Sequence, residues 1–248
     1  MNGDGIISRQ EAESVTYLDV SNQSIAEMSG IEAFSNLEIL LSNGNQLSAL
    51  DLSTNTALIE LSINDNQLTS LNLTSSTSLI KLECSGNNLT NLDLSGLTGL
   101  MELKCWSNQL SAIDISSNTN LTRISIQNNQ LTELDVSNNT KLNWILVRSN
   151  LLTSLDLSVI SELTILDLAL NQITSLDLTA NPILVELSLE NNQLISLDIS
   201  NNTDLKMLFL SDMPSLAEVC VWITPFPPQL DELNVTNSPN IFFTTDCM

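Results

Sequence analysis

The 248 residues carry 29 Asp and Glu against 7 Lys and Arg, a formal net charge of −22, and such a field repels nucleic acid and anionic membrane surfaces, excluding both as expected partners. Histidine is absent, so any catalysis would have to proceed without the commonest general base. No apolar run approaches the roughly 20 residues that span a bilayer, which argues against membrane insertion, while 42% hydrophobic but only 4% aromatic residues predict a core of aliphatic side chains.

The chain opens on MNGDGIISRQEA. Asn2, Asp4, Ile6, Ser8 and Glu11 stand at the spacing of an EF-hand-type calcium loop, in which oxygen ligands recur at alternate residues, Gly5 makes the sharp turn and a terminal Glu chelates. Ile6 would contribute its backbone carbonyl. The first ligand, normally Asp, would fall one residue before Met1, so residues 1–14 read either as a truncated calcium loop or as a Gly-Asp-Gly turn followed by a polar cap. No cofactor is required by anything in the sequence, and calcium at this loop is the one metal it suggests. The opening also lacks the basic start and apolar stretch of a signal peptide.

From residue 15 the chain repeats itself. A variant unit of twenty-two residues, Val15–Asn36, has Leu18, Val20 and Ile25 at its apolar positions and Gln23 where later units have asparagine. Then Asn45, Asn66, Asn87, Asn108, Asn129, Asn150, Asn171 and Asn192 follow at intervals of twenty-one, as do Leu58, Leu79, Leu100, Leu121, Leu142, Leu163, Leu184 and Leu205. A fixed short period means stacked identical supersecondary units, and the pattern L-x-x-L-x-L-x-x-N-x-L is the leucine-rich repeat signature. Eight regular units run from Leu37 to Asp204. A degenerate one extends to Leu216, in which Met213 replaces the asparagine.

Each unit contains two short alternating segments. In Leu61-Ser62-Ile63 the apolar pair points inward and Glu60, Ser62 and Asn64 point out; Leu71-Asn72-Leu73, Leu92-Asp93-Leu94 and Leu134-Asp135-Val136 represent the second segment. The residues between them, N-Q-L-T and S-x-N-T, are turn formers that leave no room for a helix. Each coil is therefore expected to run strand, turn, strand, turn. The fold class is a β-rich solenoid with a parallel sheet on the concave side, short strands and turns on the convex side, and few or no helices.

The asparagine column is expected to turn inward and satisfy buried backbone groups. Asp51, Asp93, Asp114, Asp135, Asp156, Asp177 and Asp198 form a further column, whose carboxylates would stand about 5 Å apart in adjacent coils. They need either local hydrogen bonds from the Ser, Asn and Thr that follow or cations between them.

Cys84 and Cys105 fall in the inward column that elsewhere holds Ile63, Ile126 and Leu168, and read as small buried hydrophobes. The tail, residues 217–248, shifts in composition toward proline and reads as a C-terminal cap bracketed by Cys220 and Cys247. A disulfide there would close a loop of about 28 residues and stabilise by roughly 3 to 4 kcal/mol, implying an oxidising compartment; two reduced cysteines are the alternative.

The pattern L-x-x-L-x-[LIC]-x-x-N-Q-L-T-x-L-D-L-S-x-N-T, with cysteine at the second strand position of two coils, resembles bacterial secreted or surface-attached leucine-rich repeat proteins with 21-residue coils, of the internalin J type. The resemblance implies export, to the cell surface or medium, and non-catalytic binding or adhesion. It names no ligand.

Repeat phase places three outward columns on the concave sheet. Lys81, Lys104, Arg123 and Arg148, four of the seven basic residues, fall within them, together with Trp106 and Trp144. Alternating charges explain Lys81 and Lys104, because Glu60, Lys81, Glu102 and Arg123 share one column and Glu83 abuts Lys104, and opposite charges across strands stabilise a sheet. They leave Trp106, Trp144 and Arg148 unexplained. Exposed aromatics beside polar groups suit sugar rings or protein hot spots, so the expected ligand-binding face comprises Trp106, Arg123, Gln127, Trp144 and Arg148, with Lys104 alongside. An apolar patch of Leu146, Ile165, Met207 and Phe209 competes with it.

Three functions are compatible with these residues. The first is a monomeric, exported, non-enzymatic recognition module for a protein or carbohydrate ligand. The second is a spacer rod in a larger surface protein. The third is an enzyme, for which the carboxylate ladders supply no specific acid/base pair.

Overall fold

The computed structural model describes residues 7–226 and 230–247. It is a right-through stack of coils. One three-residue strand per coil, from Tyr17–Asp19 to Glu232–Asn234, joins an eleven-stranded sheet whose strands follow one another almost in chain order. Every pairing is parallel and in step: Glu60, Leu61 and Ser62 face Lys81, Leu82 and Glu83, which face Glu102, Leu103 and Lys104. Among the described residues helix is confined to Arg9–Glu13 and a single 3-10 turn, Ile31–Ala33.

The sequence makes this sheet in a simple way. The central residue of every strand between the two end ones is apolar and fully shielded, as Leu61, Leu82, Leu103, Ile124 and Ile145 show, while its two neighbours turn out; Leu18 and Leu233 at the ends are half-buried. Behind them the leucine column Leu58 to Leu184 is wholly buried, coil after coil. Each such side chain contributes about 1.5 to 3 kcal/mol of burial, but none of it is available to a coil standing alone, because the shielding atoms belong to its neighbours.

The asparagine column does what its spacing predicts. Asn66 donates from Nδ2 to the carbonyls of Ser42 and Ile63 at 2.9 and 3.1 Å, and its Oδ1 accepts the Leu47 N–H at 3.0 Å; Asn87, Asn108 and Asn150 repeat the arrangement. Where Met213 interrupts the column, the Ser238 hydroxyl takes over, donating to the Leu210 carbonyl and accepting the Met213 N–H. The residue before each asparagine is left-handed, a conformation that Gly, Asn, Asp and Ser tolerate. Leu170, at φ 55°, is the bulky exception, at a cost of about 1 to 2 kcal/mol.

The second segment departs from expectation. Leu71-Asn72-Leu73 and Leu92-Asp93-Leu94 keep the buried, exposed, buried alternation of a strand, yet among the described residues only Ser196–Asp198, Glu218–Cys220 and Phe242–Thr244 are laddered, as a separate three-stranded sheet. In the other coils the backbone of this side is held by side chains instead. A second buried column missed in the sequence, Asn55, Asn118, Asn139, Asn181 and Asn202, donates to carbonyls of the preceding coil, Asn118 to Leu94 and Leu97 at 3.0 and 2.8 Å. Turn-forming residue types hid these buried amides.

The exposed aspartates are locally bonded. Asp51, Asp93, Asp114, Asp135, Asp156, Asp177 and Asp198 each accept the N–H two residues on, at 2.8 to 2.9 Å. Hydrogen bonds from Ser95 and from Thr179 hold the Asp93 and Asp177 carboxyls below the usual range.

Residues after Ala217 add one strand, Glu232–Asn234, to the long sheet and two, Glu218–Cys220 and Phe242–Thr244, to the short one. Cys220 and Cys247 form a disulfide with Cα atoms 5.6 Å apart. Trp222, Phe226 and Phe243 stack over the end of the core, with centroids 5.3 and 4.8 Å apart. Cys84 and Cys105 are free and buried, and burial pushes the Cys84 thiol up to about 12.

A candidate binding face on the concave sheet

The concave face divides by charge. In its N-terminal half Lys81 lies 2.8 Å from Glu60 and 3.2 Å from Glu83, and Lys104 lies 2.9 Å from both Glu83 and Glu102. Glu83 is the hub. Burial raises its pKa, but hydrogen bonds from Lys104, Lys81 and Ser62 outweigh burial and bring it to about 2. These cations are fully engaged inside the protein, as cross-strand pairing predicts.

Arg148 is engaged too, which corrects the expectation that it stands unpaired. Its guanidinium is 3.5 Å from Glu190 and 3.9 Å from Asp167. Counting immediate neighbours misses both partners, because Asp167 stands in the adjacent column and Glu190 two coils further along Arg148's own column, beyond Ala169. Around them the C-terminal half is acidic, and burial raises the pKa of both Asp167 and Glu186.

Arg123 differs. Among the described residues no carboxylate lies within ion-pair distance of it; Glu102, its neighbour across the ladder, is held by Lys104. The guanidinium instead sits over the indole of Trp144, 5.4 Å from the ring centroid, a cation–π contact between adjacent strands. Two cavities meet at this point. One of about 450 Å³ extends along the strand entrances past Ile80 and Met101, and one of about 150 Å³ is walled by Lys104, Ser125, Trp144 and Leu146. Glu102 and Arg123 line both.

Of the residues expected to form the site, the structure therefore brings together Arg123, Trp144 and Lys104. Trp106, which is exposed, Gln127 and Arg148 lie on the third column and do not line this cavity; the Gln127 Oε1 accepts the Ser125 hydroxyl at 2.7 Å. That column is not open throughout, since Ser85 and Ala169 are fully buried, small side chains overshadowed by larger neighbours. Leu146, Ile165, Met207 and Phe209 are half-buried on the same sheet. Ile59, Ile80 and Met101 were overlooked. They occupy the position before each strand, where other coils carry Glu38, Thr122, Asn143 or Lys206, and a large apolar residue at a usually polar phase was the signal.

At the N-terminus Asn2, Asp4 and Ile6 lie outside the described residues. Ser8 and Glu11 form a capping box on the helix Arg9–Glu13, with the Glu11 carboxylate accepting the Ser8 N–H at 3.0 Å. Asp198, Cys220 and Cys247 place a carboxylate and two sulfurs within 4.8 Å of one another, but the sulfurs are joined in the disulfide. No helix among the described residues is long and apolar enough to cross a membrane.

No family model matches the chain, and no curated protein matches it in sequence. Solved structures do. The functional domain of internalin J from Listeria monocytogenes, which includes a cysteine ladder, superposes with a TM-score of 0.60 at 26% identity over 95% of this chain. A leucine-rich repeat protein of Leptospira interrogans gives 0.78 at 25% identity over 92%, and internalin C2 of Listeria monocytogenes gives 0.65 at 25% over 83% of this chain and 84% of its own. The chain spans 65% of the first of these and 62% of the second. With its coils of twenty-one residues, its unbroken parallel sheet and its inward asparagines, this protein is a leucine-rich repeat solenoid similar to internalin J.

Proposed function

We propose that the chain is an exported, non-catalytic recognition module whose concave face binds a protein ligand at a patch centred on Arg123 and Trp144. The observation that carries this reading is Arg123, the one concave-face cation among the described residues without a carboxylate, set over the half-buried ring of Trp144 where two cavities meet. Arg and Trp are the residue types that dominate interface energetics. Lys104, Trp106, Gln127 and Arg148 surround the patch and supply a polar rim. Export is supported by the cap disulfide, since such bonds persist in oxidising compartments. A spacer rod would need its concave charges only to neutralise one another, and Arg123 does not fit that requirement.

The test is selection of a displayed twelve-residue random peptide library on the immobilised chain. Enriched peptides are expected to lose about tenfold or more in affinity for the Trp144→Ala variant, the 1.4 kcal/mol or more of an interface hot spot, with the fold checked by circular dichroism. Peptides that bind wild type and variant equally contradict the site. Binding confined to a glycan array assigns the face to carbohydrate.

A further inference from the structure

Resting on that reading, we infer that the patch recognises a carboxylate side chain flanked by apolar residues in a polypeptide segment laid across the coils. The backbone takes no part: strand N–H groups along the groove donate to the neighbouring coil, Lys81 and Glu102 to the Ile59 and Ile80 carbonyls and Arg123 to that of Met101. A ligand therefore meets side chains alone. Arg123 provides the only guanidinium there without an acidic partner among the described residues, and a guanidinium fork matches a carboxylate.

The surrounding chemistry narrows the ligand further. One uncompensated cation beside Glu102, in a chain of net charge −22, balances a singly charged carboxylate but not a doubly charged phosphate. On one side of Arg123 the exposed Ile80 and Met101 present an apolar strip, each more than 40% accessible; on the other stand Trp144 and Leu146. With strands about 4.8 Å apart, Ile80 to Trp144 spans roughly 14 Å, the length of about four extended residues. The segment that fits is short and carries its acid between apolar side chains.

The probes are three capped peptides, Ac-Leu-Leu-Glu-Leu-amide and its Gln and Lys counterparts, titrated to millimolar concentration against a Trp106→Phe, Trp222→Phe protein in which Trp144 is the sole tryptophan and is excited selectively over Tyr17. The Glu peptide is expected to quench Trp144 saturably and to bind about tenfold tighter than the Gln peptide. Arg123→Gln should remove that preference, and Arg123→Lys should keep part of it. Equal quenching by the Glu and Gln peptides overturns the carboxylate assignment while leaving the proposed binding face standing. Preference for the Lys peptide also overturns it. Failure of all three to perturb Trp144, with library-selected peptides still sensitive to Trp144→Ala, rejects this inference alone; failure of both assays rejects the face as well.

Discussion

Asn129→Ala is expected to destabilise the protein by about 2 to 4 kcal/mol, from one buried N–H left without an acceptor and three carbonyls each stripped of a donor. The side chain is buried. Its Nδ2 donates to the Cys105, Ile126 and Gln127 carbonyls at 3.0, 3.2 and 3.2 Å, and its Oδ1 accepts the Leu110 N–H at 3.0 Å. Alanine leaves the Leu110 N–H shielded from water with no acceptor, which costs about 1 to 3 kcal/mol, while the three carbonyls each lose one of two donors and keep Asn108, Asn150 and the Ser107 N–H. The position is central, so both adjoining interfaces suffer, and in a one-dimensional array the loss spreads to neighbours. Urea unfolding followed by circular dichroism measures it. Asn139→Ala is the internal comparison: the Asn139 Oδ1 has no hydrogen-bond partner, so its removal should cost less. A loss below about 1 kcal/mol for Asn129→Ala would show that the column is not what joins the coils.

That column also shows how much of the molecule was readable before any coordinates. A fixed interval of twenty-one residues determines which side chains share a neighbour, and with Leu58, Leu61 and Ile63 inward the outward places of Glu60 and Ser62 follow by counting. The ladder pairs Lys81 with Glu60 and Lys104 with Glu83 were legible for the same reason. Contacts that skip a coil or leave the column were not. Arg148 reaches Glu190 across two coils, a matter of side-chain length rather than register. The inward turn of Asn118 and Asn139 depends on carbonyls of the preceding coil, which a turn-forming composition does not reveal. The binding face was half legible: Arg123 and Trp144 occupy neighbouring outward places, but the apolar strip of Ile80 and Met101 lies one residue outside the alternating segment and was not counted as surface.

The second large effect concerns the cap. Reducing the Cys220–Cys247 disulfide, or replacing both cysteines by serine, is expected to remove about 3 to 4 kcal/mol, the chain-entropy stabilisation of a loop of about 28 residues. Native labelling with a thiol reagent separates this bond from the interior cysteines. Cys84 and Cys105 are fully buried and their thiols are held protonated, by burial in each case and at Cys105 also by proximity to Cys84; reactive modification needs the thiolate. The oxidised native protein should therefore label at neither, and mild reduction should release two reactive thiols together with the drop in unfolding midpoint. An unchanged midpoint after reduction would mean that the stacked rings of Trp222, Phe226 and Phe243 seal the end of the core unaided.

The binding claim is tested most directly at the ring itself. The three tryptophans, Trp106, Trp144 and Trp222, give three indole N–H resonances, assignable by single Trp→Phe replacements, and one lies on the patch, one beside it and one in the cap. Saturation with a library-selected peptide should displace the Trp144 resonance most, move Trp106 less and leave Trp222 in place. A peptide that binds with measurable heat while Trp144 stays still, or that moves Trp222 instead, would contradict the assignment of the concave Arg123–Trp144 patch as the recognition surface.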